Sequence, residues 1–291
     1  MPSVYRNAVA QQEVRRWCLS RIDGWHVAHV RREVATSAGL TSVVTVGPEP
    51  RDGAPAVVLL PGTNMNAASC LAVAEELARR HRVVILDLPG QPGLSSGRRP
   101  RLGRTAWYGK WLNEVLALLV RQPAVVVGHS LGGAVALACD SPLVAGRVLL
   151  SSAGVMRLRT PVPLLAATVP WLLRPSVPRA EELLRHMSAP GRVVPGHLSA
   201  WMDLVARCCR TSLAPLPLPP DLLERPRAAP LLVATGRFDV FLPPRALGPA
   251  VRRRLGSGLR VVDGAGHLIL DEEPLEVCKV VEEFCRARTA Q

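Results

Sequence analysis

The segment Ala124-Val125-Val126-Val127-Gly128-His129-Ser130-Leu131-Gly132-Gly133 constrains this chain more than any other. Four apolar residues run straight into a glycine-flanked serine, and an alanine-rich helical stretch, Leu131 to Cys139, follows at once. A continuously apolar run suits a strand covered on both faces, as in a parallel sheet flanked by helices. A serine on a tight strand-to-helix turn sits in strained backbone space, and glycines on both sides leave room for that turn. The helix start then points free N–H groups and the positive end of its dipole at whatever reacts with the serine. In this setting G-x-S-x-G is the pattern of a nucleophile elbow, and the Leu131 N–H is one donor to a developing oxyanion.

The rest of the chain alternates in the same way. Ala56 to Leu60, Arg82 to Leu88, Val148 to Ser151, Leu231 to Thr235 and Leu259 to Val262 read as strands, with helices at 67–80, 105–120 and 274–286 between or after them. At the front, a helical stretch, Ala8 to Arg21, precedes a hairpin pairing His26 to Thr36 with Thr41 to Val46. This order predicts an α/β chain with a doubly wound, mostly parallel sheet. About 75 residues between the strands at 148 and 231 are too many for a simple crossover. They predict an inserted helical cap over 155–228, with helices at 180–187 and 198–209 and a proline-dense return linker, Leu213 to Pro220. Residues 1–154 and 229–291 then form the core.

Composition excludes several classes. At 291 residues, 48% hydrophobic and 20% charged, the chain buries a substantial core and is not globally disordered. No apolar run reaches the roughly 18 residues of a membrane span, and the longest, Val162 to Leu173, is interrupted by proline. With no secretory signal at its start, the chain is expected in the cytoplasm, without a membrane partner. Seven cysteines include no C-x-x-C pair, so they read as thiols in a reducing compartment and not as a metal site. The net charge of +13 is almost wholly arginine, scattered along the chain with few aromatic residues between. That pattern fits solvated faces better than a nucleic-acid surface, although a basic binding protein stays open as the non-enzymatic alternative.

Serine needs a base. Of seven histidines, His267 alone lies in a loop after the last strand and before the closing helix, where an imidazole reaches over the Ser130 turn. His129 points away in such a turn and reads as a packed polar residue. The base needs an orienting carboxylate, and Asp239 follows the strand at 231–235 at a sharp turn, unlike its rivals Asp263, Asp271 and Glu272. The order Ser130, Asp239, His267 then differs from both the chymotrypsin and subtilisin orders.

These elements, with Leu59-Leu60-Pro61-Gly62-Thr63 and Asp87-Leu88-Pro89-Gly90-Gln91-Pro92-Gly93-Leu94-Ser95, resemble the α/β-hydrolase superfamily, specifically its bacterial carboxylesterase-like members. The resemblance runs from about His26 to Phe284. It implies a serine hydrolase that acts on a small-molecule carboxylic ester, with thioester and lactone as the open alternatives, through an acyl-enzyme and without a cofactor. It also implies that the Thr63 N–H is the second oxyanion donor, although Pro61 stands where the family usually carries histidine. Lyases, C–C bond hydrolases and cofactor-free haloperoxidases share this fold and stay open as alternatives. Trp171, Trp201 and Met202 in the insert are expected to wall a pocket for an apolar acyl group; the other reading is that they bury the insert's own underside.

Overall fold

The computed structural model describes residues 1–50, 54–210, 215–224 and 229–289. Leu213 and Ala214 of the proline-dense stretch lie outside them. Helix α1 (Ala8–Asp23) begins at Asn7, whose side chain accepts the Ala10 N–H. The hairpin β1 (His29–Thr36) and β2 (Gly39–Val46) turns at Gly39, where φ is 97°. Then come β3 (Val57–Leu60), a 3₁₀ turn (Ala67–Ser69), α2 (Leu71–Ala78) and β4 (Val83–Leu86). They are followed by α3 (Arg104–Leu119), β5 (Ala124–His129), α4 (Leu131–Ala138) and β6 (Val144–Leu150). Among the described residues four helices intervene: α5 (Val162–Leu173), α6 (Val177–Arg185), α7 (Gly196–Cys208) and the short α8 (Pro220–Glu224). The chain closes with β7 (Leu231–Gly236), α9 (Pro244–Leu255), β8 (Leu259–Val262), α10 (Ile269–Glu272) and α11 (Pro274–Thr289).

The strands form one sheet in the order β1-β2-β4-β3-β5-β6-β7-β8. Its first two pairings are antiparallel and the rest parallel, as the alternation predicts. Successive strand residues face opposite layers. Val57, Leu59, Val83, Ile85, Val125 and Val127 pack toward α1, α2 and α11. Val58, Leu60, Val84, Leu86 and Val126 pack toward α3, α4 and α9. From β3 the chain crosses to β4 on one side, and β5 lies on the other. Ligands of open α/β sheets collect at the strand ends beside such a reversal. Leu60 pairs with Gly128, so the loops after β3 and β5 leave the sheet side by side.

Four local expectations differ. The helix expected over 67–80 is broken at Cys70 (φ −110°, ψ 10°), because the Asn66 side chain caps the Ser69 N–H and ends a 3₁₀ turn there. Strand β6 starts four residues before the expected Val148. Arg147 breaks the apolar run in the sequence, yet it is buried, donating to the carbonyls of Ala136 and Cys139 at the end of α4. The run Val162–Leu173 is a helix despite its prolines, with Pro163 in the first turn, where no N–H is needed, and Pro170 within. The return segment is more than a linker: Leu218, Leu222 and Leu223 are buried in the layer that holds α4 and α9.

Candidate active site

Ser130 stands at φ 49°, ψ −111°, a conformation that side chains other than glycine adopt only under constraint. Its neighbours explain how the fold holds it. A Cβ on Gly128 would lie 2.5 Å from the Gly132 carbonyl, and one on Gly132 would collide with the Leu60 carbonyl, so the turn closes only with glycine at both places. Ser130 N–H donates to Leu150 O at 3.0 Å, tying the turn to β6.

Residues far apart in sequence meet at its hydroxyl. His267 Nε2 lies 3.1 Å from Ser130 Oγ, and His267 Nδ1 lies 3.0 Å from Asp239 Oδ2. An ionised carboxylate only accepts, so the proton is on Nδ1 and Nε2 presents its lone pair to the serine. Asp239 also accepts the N–H groups of Phe241 and Leu242, each at 2.9 Å, and the Thr235 hydroxyl at 3.2 Å. Burial opposes its charge, but the His267 ring and these donors outweigh it and hold the carboxyl down at about 2. Of the rival acids, Asp263 pairs with Arg237 on the surface, and neither Asp271 nor Glu272 bonds the imidazole. Among the described residues, the N–H groups of Thr63 and Leu131 donate no hydrogen bond. No cluster of three metal-binding side chains occurs among those residues.

The serine opens on a cavity of about 360 Å³. Gly62 and Thr63 line one side, and Leu164, Trp171, Leu183 and Met202 of the inserted helices line another. Trp201, which the sequence places on the pocket wall, does not line it. Its ring is fully buried against Trp17 of α1 (centroids 4.5 Å apart), and its Nε1–H donates to Asn64 O at 2.7 Å. The N-terminal helix thus covers the tryptophan from behind, a contact no local pattern announces. Trp201→Ala is expected to lower stability by about 3–5 kcal/mol through the void it leaves. Urea unfolding checks this; a loss under 1 kcal/mol would mean that the site collapses around the gap.

The family model that matches residues 57–280 is described as "Alpha/beta hydrolase family". The chain belongs to that family. It is 27% identical over 258 residues to the pimeloyl-[acyl-carrier protein] methyl ester esterase of Aeromonas hydrophila, a match covering 79% of this chain and 95% of the relative. An uncharacterized Mycobacterium tuberculosis protein is also 27% identical over 258 residues, covering 79% of this chain and 75% of its own length. In fold, the chain is similar to the naproxen esterase of Bacillus subtilis, with a TM-score of 0.78, 21% identity and coverage of 97% and 99% of the two chains.

Within this α/β hydrolase, two groups outside the expected set hold the His267 loop. His129 is buried, the packed polar residue that the sequence reads, and it lies against this loop: its ring centroid is 5.2 Å from that of His267, and its Nε2–H donates to the His267 carbonyl at 2.8 Å. Burial and the neighbouring imidazole push His129 down to about 4, so it stays neutral. Glu272, weighed in the sequence as an orienting acid, instead accepts the N–H groups of Gly266 (2.8 Å) and Ala189 (2.5 Å). The His267 N–H donates to Met187 O at 2.7 Å. The insert therefore grips the histidine loop from both sides. Nearness of Glu272 to His267 was the one sequence signal available, and it does not distinguish an acid bonding the ring from one bonding the backbone.

Proposed function

We propose that this protein is a carboxylic ester hydrolase in which Ser130, His267 and Asp239 act as a catalytic triad. The observation that carries the reading is the buried chain of contacts from Ser130 Oγ through both His267 nitrogens to Asp239, at 3.1 and 3.0 Å, opening on an apolar cavity. His267 takes the serine proton as Oγ attacks the ester carbonyl, and Asp239 stabilises the imidazolium and holds the ring. The unpartnered N–H groups of Thr63 and Leu131 receive the oxyanion, each donor worth about 2.7–4 kcal/mol at comparable sites. His267 gives that proton to the departing alcohol as the C–O bond breaks, leaving an acyl-enzyme, which water attacks with the neutral His267 again as base. Helices α5 to α7 act as a cap, and the leucine, tryptophan and methionine lining supports an apolar acyl group. All seven cysteines are free thiols, which supports a reducing, cytoplasmic setting.

A fluorophosphonate probe followed by a p-nitrophenyl ester series tests the reading. Labelling and turnover that peaks at medium acyl length are expected. Labelling without release from any ester would overturn it in favour of a lyase or C–C bond hydrolase. Bulk added to the cavity reads out the acyl site: Leu164→Phe should lower kcat/KM for medium-chain esters roughly tenfold more than for acetate. Equal losses along the series would remove α5 from the acyl site.

A further inference from the structure

Helix α5 has an outer face of unusual chemistry. Its 12 residues include no charged side chain. Val162, Leu165, Val169 and Leu173 recur at intervals of three and four and are 77%, 47%, 53% and 75% exposed. Pro163, Ala166 and Pro170 share the exposed arc. On the opposite face Leu164 and Trp171 are buried and line the cavity above Ser130. Leu165 belongs to both: it is half-exposed and also lines the cavity, so the apolar stripe runs into the cavity rim.

The stripe is bracketed by positive charge. Arg157 and Arg159 precede it and Arg174 follows it; all three are exposed, and none pairs with a carboxylate among the described residues. Over 155–228 the sequence has ten arginines against five carboxylates. A contiguous apolar face on a surface helix marks a contact site. Two copies joined face to face would set these arginines against each other, since a twofold interface repeats one patch on both sides. An anionic bilayer instead offers hydrocarbon to the stripe and negative headgroups to its ends. No described helix is long and apolar enough to cross a membrane, so α5 would lie in the surface plane.

We infer that α5 docks this protein on an anionic lipid surface, with the cavity rim turned toward the lipid, so that an ester with an apolar acyl chain enters from the bilayer. Docking stands on the helix alone; the ester as cargo rests on the function proposed above.

The test is co-sedimentation of the full chain with vesicles of phosphatidylcholine, with and without a third of phosphatidylglycerol. Binding to the anionic vesicles that weakens with salt is expected. The triple variant Val162→Ser, Val169→Ser, Leu173→Ser should bind them roughly tenfold less or weaker still. Arg157→Gln, Arg159→Gln and Arg174→Gln together should weaken binding on the order of 100-fold, about fivefold per arginine. None of the six residues lines the cavity, so both variants should hydrolyse water-soluble p-nitrophenyl acetate at the wild-type rate, which also reports intact folding. Absence of wild-type binding, or undiminished binding by the serine variant, would overturn the proposal. So would a dimer in light scattering that the serine variant dissolves, since the face would then belong to a second copy. Vesicle binding by a wild type inactive on every ester would support docking while removing the hydrolase reading.

Discussion

Replacing Ser130 by alanine is expected to abolish fluorophosphonate labelling and to lower kcat on any ester turned over by the wild type on the order of 10⁶-fold. The size follows from the three groups acting as one unit: without the hydroxyl, His267 has no proton to take and the carbonyl no nucleophile. What remains is binding in the cavity and whatever the free N–H groups of Thr63 and Leu131 do for a water attack. Stability should barely change. The strain at φ 49° belongs to the backbone and Cβ, which alanine keeps, and the hydroxyl's only described partner is the imidazole. Ordinary ester turnover by Ser130→Ala, with thermal unfolding matching the wild type, would remove this serine from the chemistry.

Asp239→Asn is expected to reduce kcat about 10⁴-fold. An amide can donate to His267 Nδ1, which moves the ring proton to Nε2 and leaves nothing there to accept the serine proton. Asp263→Asn should be mild, because its pair with Arg237 is on the surface, where such pairs contribute about 0–1 kcal/mol. The acid behaviour separates them further. Asp239 is held at about 2, below the ordinary 3.8, so its charge stabilises the fold above the ordinary value, and that contribution is lost as pH falls through about 2. The wild type should therefore lose more stability than Asp239→Asn between pH 4 and 2, measured by urea unfolding across that range. Parallel losses would mean that the carboxylate is not held in this way. A 10⁴-fold loss in Asp263→Asn would move the orienting role to that residue.

What could be read in advance was local or ordered along the chain. The apolar run into Gly128 and the helix formers after Ser130 identify strand, turn and helix within a dozen residues. Asp239 and His267 follow strands that their own composition reveals. What stayed hidden depends on distant partners. Arg147 looks like the end of a strand until the carbonyls of α4 arrive to bind it. Trp201 looks like a pocket wall because a tryptophan in an insert has no local sign of Trp17 behind it. Five residues of α8 are too few for periodicity to show that Leu222 and Leu223 return to the sheet layer. The roles of His129 and Glu272 rest on backbone atoms of the His267 loop, and side-chain patterns carry no record of those.

The grip of the insert on that loop bears on how such enzymes can be recombined. A chimera that carried the helices of a relative on this core would also exchange the Met187 carbonyl that receives the His267 N–H and the Ala189 N–H that engages Glu272. The helices that line the cavity and the position of the imidazole are thus inherited together. Grafts with junctions outside 187–189 would import a foreign seat for the histidine along with foreign specificity. Grafts that spare those three residues would keep the native seat and vary only the walls.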